Sequence, residues 1–442
     1  MKDFFEEFIK SAVDIISIPS VQEDPLHDMP FGEGVKRCLD KTLSICRELG
    51  FRTVTNGGYY GYAEIGEGEE LFGILGHLDT VPFGDGWDYP PTSGTIKDGV
   101  LYGRGVLDDK APILSTVFAV KELLERGLLP NKRIRIIFGC NEESGWKCID
   151  KYLECEEMPT QGFSPDGDFP VINCEKGIVY YEVAVPTLPH LLSIKGGERP
   201  NMVMESVTAS LDSLSPKAIE TIASRNDTSI TKTDNGFCVT AYGKSAHGST
   251  PNEGKNAFLT LVEILSKEYS GEWKNLCDII NNTDGSGYSL ALKDEVSGRL
   301  TINIGKVFTK EDRLVFTLDV RHPISYSREY VYDALTKVFP SADIRQTMFH
   351  DSLYIAKDHP LVTKLLGAYE KVTGEKAEPI TIGGGTYARA LNTGVAFGPI
   401  FPGGESTIHQ RNERANISDL KKMYEIYKEA IKDTCFDTAK DN

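Results

Sequence analysis

The chain has 442 residues, with 48 Lys and Arg against 65 Asp and Glu and a formal net charge of −17 at pH 7. That length exceeds one ordinary core and predicts two or three domains, and 26% charged with 40% hydrophobic residues suits a globular protein. The acidic balance argues against nucleic acid and anionic membrane as partners, because both would repel it; it names no substrate.

The first segment, MKDFFEEFIKSAVDIISIPS, mixes acids with apolar residues. Phe4, Phe5, Phe8, Ile9, Val13 and Ile16 fit one face of a helix. A basic start and an uninterrupted apolar run are both missing, so a signal peptide is not expected. No stretch approaches the roughly 20 apolar residues of a membrane span. The nine cysteines are odd in number, scattered, and contain no CxxC pair, which predicts reduced thiols and a cytoplasmic protein. Cys140 reads best as a buried strand cysteine.

Gly34 to Leu49 reads as a second helix closed by Gly50. Strands are predicted at Phe51–Thr55, Gly61–Ile65 and Leu71–Leu75, the last an apolar run suited to a buried position. Pro112–Arg126 carries the apolar stripe of a helix, and Arg133–Gly139 reads as a strand. After Gly177 the texture changes: VYYEVAVP, GFCVTAYG, GRLTINIG and RLVFTLDVRHP look like strands, interleaved with helices near Ala218–Ser224 and Asn256–Ser266. This predicts an α+β insertion over residues 181–350 between two parts of one α/β domain, 1–180 and 351–442. Pro360–Thr373 resumes a helix, a terminal helix spans about Ser418–Asp433, and the tail FDTAKDN is expected to fray.

His77, Asp79, Asp108, Glu142, Glu143, Asp166 and His409 carry the chemistry. They sit in GHLDTVP, GRGVLDDK, GCNEESG, SPDGDFP and STIHQRNE. Oxygen and imidazole donors in this number suit a pair of divalent transition metals. A spare carboxylate beside a ligand suits a general base acting on water. The clusters at His77 and Glu142 follow predicted strands, and the carboxyl edge of an open α/β sheet is where ligands bind. Taken singly, each residue has an ordinary explanation. Asp108 and Asp109 could cap the next helix, Asp166–Gly167 could form a turn, and His409 could be a surface residue. Gly383–Gly385 and Thr386 invite a phosphate-loop reading, but the required lysine is absent.

Together with AHGSTP in the insertion, these motifs resemble the M20 metallopeptidase family, the aminoacylase/carboxypeptidase G2 group, and within it the PepV-type dipeptidases. The resemblance spans nearly the whole chain. It implies a di-metal aminopeptidase-like catalytic domain, a mixed sheet flanked by helices, with an inserted α+β lid. It implies that Asp108 bridges two divalent ions, that His77 and Asp166 complete one site, and that Glu143 and His409 complete the other. Zinc is the implied ion, with manganese or cobalt as alternatives. Glu142 becomes the general base for a metal-bridging water. Asp79 orients His77. His247 stabilises the oxyanion, Asn201 and Arg321 meet the substrate carbonyl and carboxylate, and Gly384, Gly385 and Thr386 hold the carboxylate through backbone N–H groups. The implied activity is a monomeric dipeptidase acting on small peptides with a free C-terminus. N-acyl-amino-acid deacylation or desuccinylation on the same core is the alternative. A non-catalytic peptide carrier, or a protein organised by structural zinc, fits less well: a binder needs no Glu142, and structural zinc favours cysteine.

Overall fold

The computed structural model describes residues 3–437, so the last residues of the tail expected to fray lie outside it. The chain forms two compact units. One comprises the chain up to Asn173, Ile355–Ile380, and Thr386 onward; the other comprises Cys174–Tyr354 and Thr381–Gly385.

The first unit is built on a mixed sheet. Its strands lie in the order Arg52–Asn56, Tyr60–Ile65, Arg133–Gly139, Leu71–His77, Gln161–Ser164, Gly394–Ala396 and Ile172–Glu175. From Arg133–Gly139 across to Gly394–Ala396 the neighbours are parallel, and the flanking pairs are antiparallel. The parallel strands therefore end along one edge. His77 pairs with Gly139 at that edge, and Glu142, Glu143 and Asp166 lie just past strand ends.

Leu71–His77 is buried along its whole length, as a strand covered on both faces must be. Helix Lys110–Glu125 packs on it and is itself covered by the helices Phe4–Ile16 and Ile417–Cys435. This explains why every residue from Lys110 to Val120 is buried, where the sequence predicted a stripe. The Lys110 ammonium donates to the carbonyls of Ile15 and Ile18, at 3.2 and 2.7 Å. It meets carbonyls at and just past the end of the first helix, where backbone acceptors outnumber intrahelical donors. Asp3 caps the other end of that first helix, accepting from the N–H groups of Phe5 and Glu6. The buried face runs through Phe4, Phe8, Ile9, Ala12, Ile15 and Ile16; Phe5 and Val13 are only half-buried. Phe8 stacks on Tyr424 with centroids 6.0 Å apart, and burying such a ring is worth about 1.5–3 kcal/mol.

Short elements here were not predicted, among them the strands Gln161–Ser164, Ile172–Glu175 and Gly394–Ala396, one helix and one small sheet. Helix Lys147–Cys155 buries only Cys148, Ile149 and Tyr152, too few for a clear period. A small sheet of Thr95–Lys97, Val100–Tyr102 and Arg414–Asn416 is made of strands of three residues each.

The second unit is an eight-stranded antiparallel sheet, ordered Thr228–Thr233, Gly236–Tyr242, Ser206–Leu211, Leu191–Gly196, Thr301–Lys310, Arg313–His322, Gly177–Pro186 and Asp343–His350. Helices Pro216–Ala223 and Ala257–Glu268 pack on its strands. The two edge strands were missed because they are mostly solvated: Thr228–Thr233 buries only Thr228, and Asp343–His350 buries no residue fully. Among the described residues no helix is long and apolar enough to cross a membrane.

Candidate metal centre and active site

Two groups of metal-ligand type form at the sheet edge of the first unit. His77, Asp108 and Asp166 make one, and Asp108, Glu143 and His409 make the other, with the donor atoms of each within 4.8 Å of one another. Such spacing suits one ion per group with donors at about 2.0–2.2 Å. Asp108 belongs to both. Its Oδ1 lies 2.8 Å from His77 Nε2, and its Oδ2 lies 2.8 Å from His409 Nε2. His409 Nε2 is also 3.1 Å from Glu143 Oε1, and His77 Nε2 is 3.7 Å from Asp166 Oδ2. A carboxylate that turns one oxygen to each group has the form of a bridge.

The donors fit divalent cations in chemistry as well as spacing. His77 Nδ1 bonds the Asp79 carbonyl at 3.0 Å. That places its proton on Nδ1 and leaves the Nε2 lone pair aimed at the carboxylates. Nε2 is buried and makes no well-directed hydrogen bond despite its short approach to Asp108. With an ion in place of a proton, it would serve as a ligand.

The charges agree. Burial pushes Asp166 up to about 7, and the Asp108 carboxylate adds to the push. Burial also raises Glu143, again reinforced by Asp108. In the imidazoles burial acts downward but is overridden: Asp108 and Glu143 hold His409 up at about 11, and Asp108 and Asp79 raise His77 well above its ordinary value. Asp108 itself is held below the usual carboxylate range, because His409 and His77 outweigh its burial. A knot of buried carboxylates that draws protons onto its imidazoles is short of positive charge, which cations would supply.

Neighbouring residues aim this set. The Asp79 carboxylate accepts the backbone N–H groups of Glu142 and Glu143, at 3.0 and 3.1 Å. Asp79 thus serves His77 through its carbonyl and the glutamate loop through its side chain. Asp109 turns away from both groups and accepts the His77 backbone N–H at 3.1 Å. Two adjacent aspartates that look alike in sequence are thus separated by where the backbone before the helix Lys110–Glu125 sends each side chain. Gly76 is required where Asp109 passes: a Cβ there would stand 2.0 Å from Asp109 Oδ2 and 2.9 Å from Ile113 Cβ. Gly76→Ala is expected to cost about 1–3 kcal/mol of stability by overpacking and to weaken metal retention. Denaturant melts with metal analysis check this; a wild-type result on both would refute it.

Glu413 was passed over in the sequence, though it closes the His409 motif. It is fully buried. Its Oε1 accepts the N–H groups of Gly105 and Leu107 at 3.0 and 2.9 Å, and its Oε2 meets Arg104 at 2.7 Å. It therefore ties the chain entering Asp108 to the chain leaving His409. Glu413→Ala would strand the buried Arg104 and is expected to destabilise by about 3–5 kcal/mol. Equilibrium unfolding measures this, and a cost near zero would sink the reading. Tyr387 was also missed. Its ring lies edge-on to His77 at 6.0 Å, and its hydroxyl meets Cys148 Sγ at 2.7 Å. A Cβ on Gly139 would strike that ring at 2.7 Å. The sequence offered only the Tyr in GGGTYAR as a sign.

Most of the remaining predicted residues belong to the second unit. In the second unit Gly248 N–H donates to the Asn201 carbonyl at 2.7 Å, and Met202 bridges His247, so Asn201 and His247 sit side by side. His247 Nδ1 lies 2.6 Å from Ser249 Oγ. Arg321 sends Nε and Nη2 to Asp319, at 2.6 and 2.8 Å, and Nη1 to the Gly383 carbonyl at 3.0 Å. It thus anchors the turn that carries Gly384 and Gly385. Thr386 belongs to the first unit, where its hydroxyl caps the turn Tyr387–Ala390 by accepting from Ala388 N–H at 3.2 Å.

Comparison with known proteins adds the following. Residues 73–433 match the model of peptidase family M20/M25/M40. The chain is 36% identical over 452 residues to YtjP of Bacillus subtilis (strain 168), provisionally named a dipeptidase, covering 96% of each chain. It is 34% identical over 466 residues to a Staphylococcus aureus (strain MRSA252) protein, SAR1836, also provisionally named a dipeptidase, covering 98% of each. Its fold is similar to that of the di-peptidase Dug1p from Saccharomyces cerevisiae, with a TM-score of 0.59 at 15% identity over 97% of this chain and 95% of that one.

Proposed function

Because the chain belongs to peptidase family M20/M25/M40, we infer that it is a metal-dependent dipeptidase. One observation carries this reading: two ligand groups share Asp108, and a further carboxylate, Glu142, is held beside them by Asp79. Relatives named as dipeptidases, matched over nearly their whole length, support the substrate class.

His77 and Asp166 would hold one divalent ion, Glu143 and His409 a second, and Asp108 both. Zinc suits these donors, as do manganese and cobalt. When bound, such ions supply Lewis acidity and make water acidic enough to ionise near neutral pH. Glu142 belongs to neither ligand group, so its carboxylate is available to take a proton from the attacking water and give it to the leaving amine. Asp79 fixes the backbone from which Glu142 projects. In the second unit His247 is proposed to stabilise the oxyanion, and Asn201 to meet the substrate carbonyl. Arg321 is proposed to serve the substrate carboxylate alongside Gly384, Gly385 and Thr386. The enzyme is proposed to act as a monomer.

The test is hydrolysis of Ala-Ala, β-Ala-His, a tripeptide and N-acetyl-Met by metal-stripped protein with zinc or manganese restored. Cleavage of dipeptides that returns with metal supports the reading. Release of acetate alone moves the substrate to acyl-amino acids. Silence on every substrate with metal bound overturns the enzymatic reading.

A further inference from the structure

The loop that presents Glu142 folds back on itself. Asn141 accepts the Trp146 backbone N–H on its carbonyl at 2.8 Å and the Lys147 N–H on its side chain at 3.0 Å. Trp146 then starts the helix Lys147–Cys155, and its carbonyl accepts from Ile149 and Asp150 at 2.9 and 3.1 Å. Its φ of +63° lies in the left-handed region, which bulky side chains avoid. Glycine would relieve that, and Gly145 stands next door; the loop keeps an indole instead. The conformation turns the ring toward Glu142. The indole Nε1–H donates to Glu142 Oε1 at 3.2 Å. The other side of the ring is braced by Tyr387, edge-on with centroids 5.1 Å apart, and Tyr387 also stands against His77.

A glutamate fixed only at its backbone can still swing through its side-chain torsions. Asp79 holds the Glu142 N–H and leaves those torsions unset. We propose that Trp146 is the positioning residue of the general base: its indole occupies Oε1 and leaves Oε2 to exchange the proton with water and leaving amine. An indole donates and cannot accept, so it can fix this carboxylate without competing for the proton. The proposal rests on Glu142 acting as the base.

Trp146→Phe is the informative change, since it deletes the donor and keeps a ring against Tyr387. With metal-loaded protein and a dipeptide substrate, kcat should fall roughly 10- to 100-fold, as expected for a misplaced catalytic group, with KM within about twofold. Bound metal and the thermal midpoint should match wild type. A second readout needs no turnover. The chain has three tryptophans, so the indole resonance missing from the Trp146→Phe spectrum of ¹⁵N-tryptophan-labelled protein identifies Trp146. That resonance should shift in Glu142→Ala. A kcat within about twofold of wild type, a kcat loss that follows lost metal, or an indole resonance indifferent to Glu142→Ala would each overturn the proposal. Failure of the dipeptidase reading has a different sign: wild-type protein silent on dipeptides with its metal bound. That result would also remove the base that Trp146 is proposed to serve.

Discussion

Glu142→Gln is expected to cut turnover by roughly 10²–10⁴-fold, the usual worth of a positioned general base, while bound metal stays at the wild-type level. The neighbouring change, Glu143→Gln, should do the reverse in kind and lose metal. The two residues are adjacent and both are tied by backbone N–H to the one Asp79 carboxylate, yet only Glu143 enters a ligand group. Glu142 is pushed well above the ordinary carboxyl range by burial first, then by the carboxylates of Asp166, Glu143 and Asp108, against the pull of His77. Bound cations act in the opposite sense on such a group, so metal loading and base function are coupled. Metal analysis beside steady-state kinetics separates the two glutamates. Metal loss in Glu142→Gln, or full turnover in it, would remove Glu142 from the proposed role.

The gathering of these side chains was legible because the sheet prints it. A buried parallel strand reads as an apolar run, and residues that follow such runs gather at one edge: His77 after Leu71–Leu75, Glu142 after Arg133–Gly139. Gly76 and Gly139, just before the His77 and Glu142 clusters, prove to be sites where a Cβ has no room. What could not be read is what depends on how a loop aims a side chain, or on a partner far away in sequence. Trp146 is proposed to act through one indole hydrogen bond to a residue four positions earlier, and Glu413 meets N–H groups more than three hundred residues earlier. Neither contact leaves a local pattern. The choice between Asp108 and Asp109 has the same origin, since two identical side chains are told apart only by which way the backbone turns each. Asp79 was expected to orient His77, and its larger set of contacts, to the Glu142–Glu143 backbone, has no trace in GHLDTVP. In the fold, the losses are short or solvated elements such as Thr228–Thr233, and helix Lys110–Glu125, whose period is blurred because neighbours cover it nearly all round.

Asp108 is where one substitution should have the widest effect. Its oxygens divide between His77 and His409 at 2.8 Å each, so Asp108→Ala removes a donor from both groups at once. His409→Ala removes a donor from one group, and His77→Ala from the other. Metal analysis of the purified variants should therefore find Asp108→Ala essentially bare, and each histidine variant with about half the wild-type metal if two ions bind independently. Turnover in Asp108→Ala should drop by at least about 10³-fold, since several kcal/mol of transition-state stabilisation leaves with the ions. Stability supplies a readout separate from catalysis. A metal that binds only the folded chain adds about 2.7 kcal/mol at a hundredfold excess over its dissociation constant. Adding zinc or manganese should then raise the melting temperature of stripped wild-type protein and leave Asp108→Ala unmoved. If Asp108→Ala instead keeps one ion and a partial melting shift, the two groups are independent sites and Asp108 serves only one of them, which would end the bridging role and with it the two-ion arrangement proposed for this enzyme.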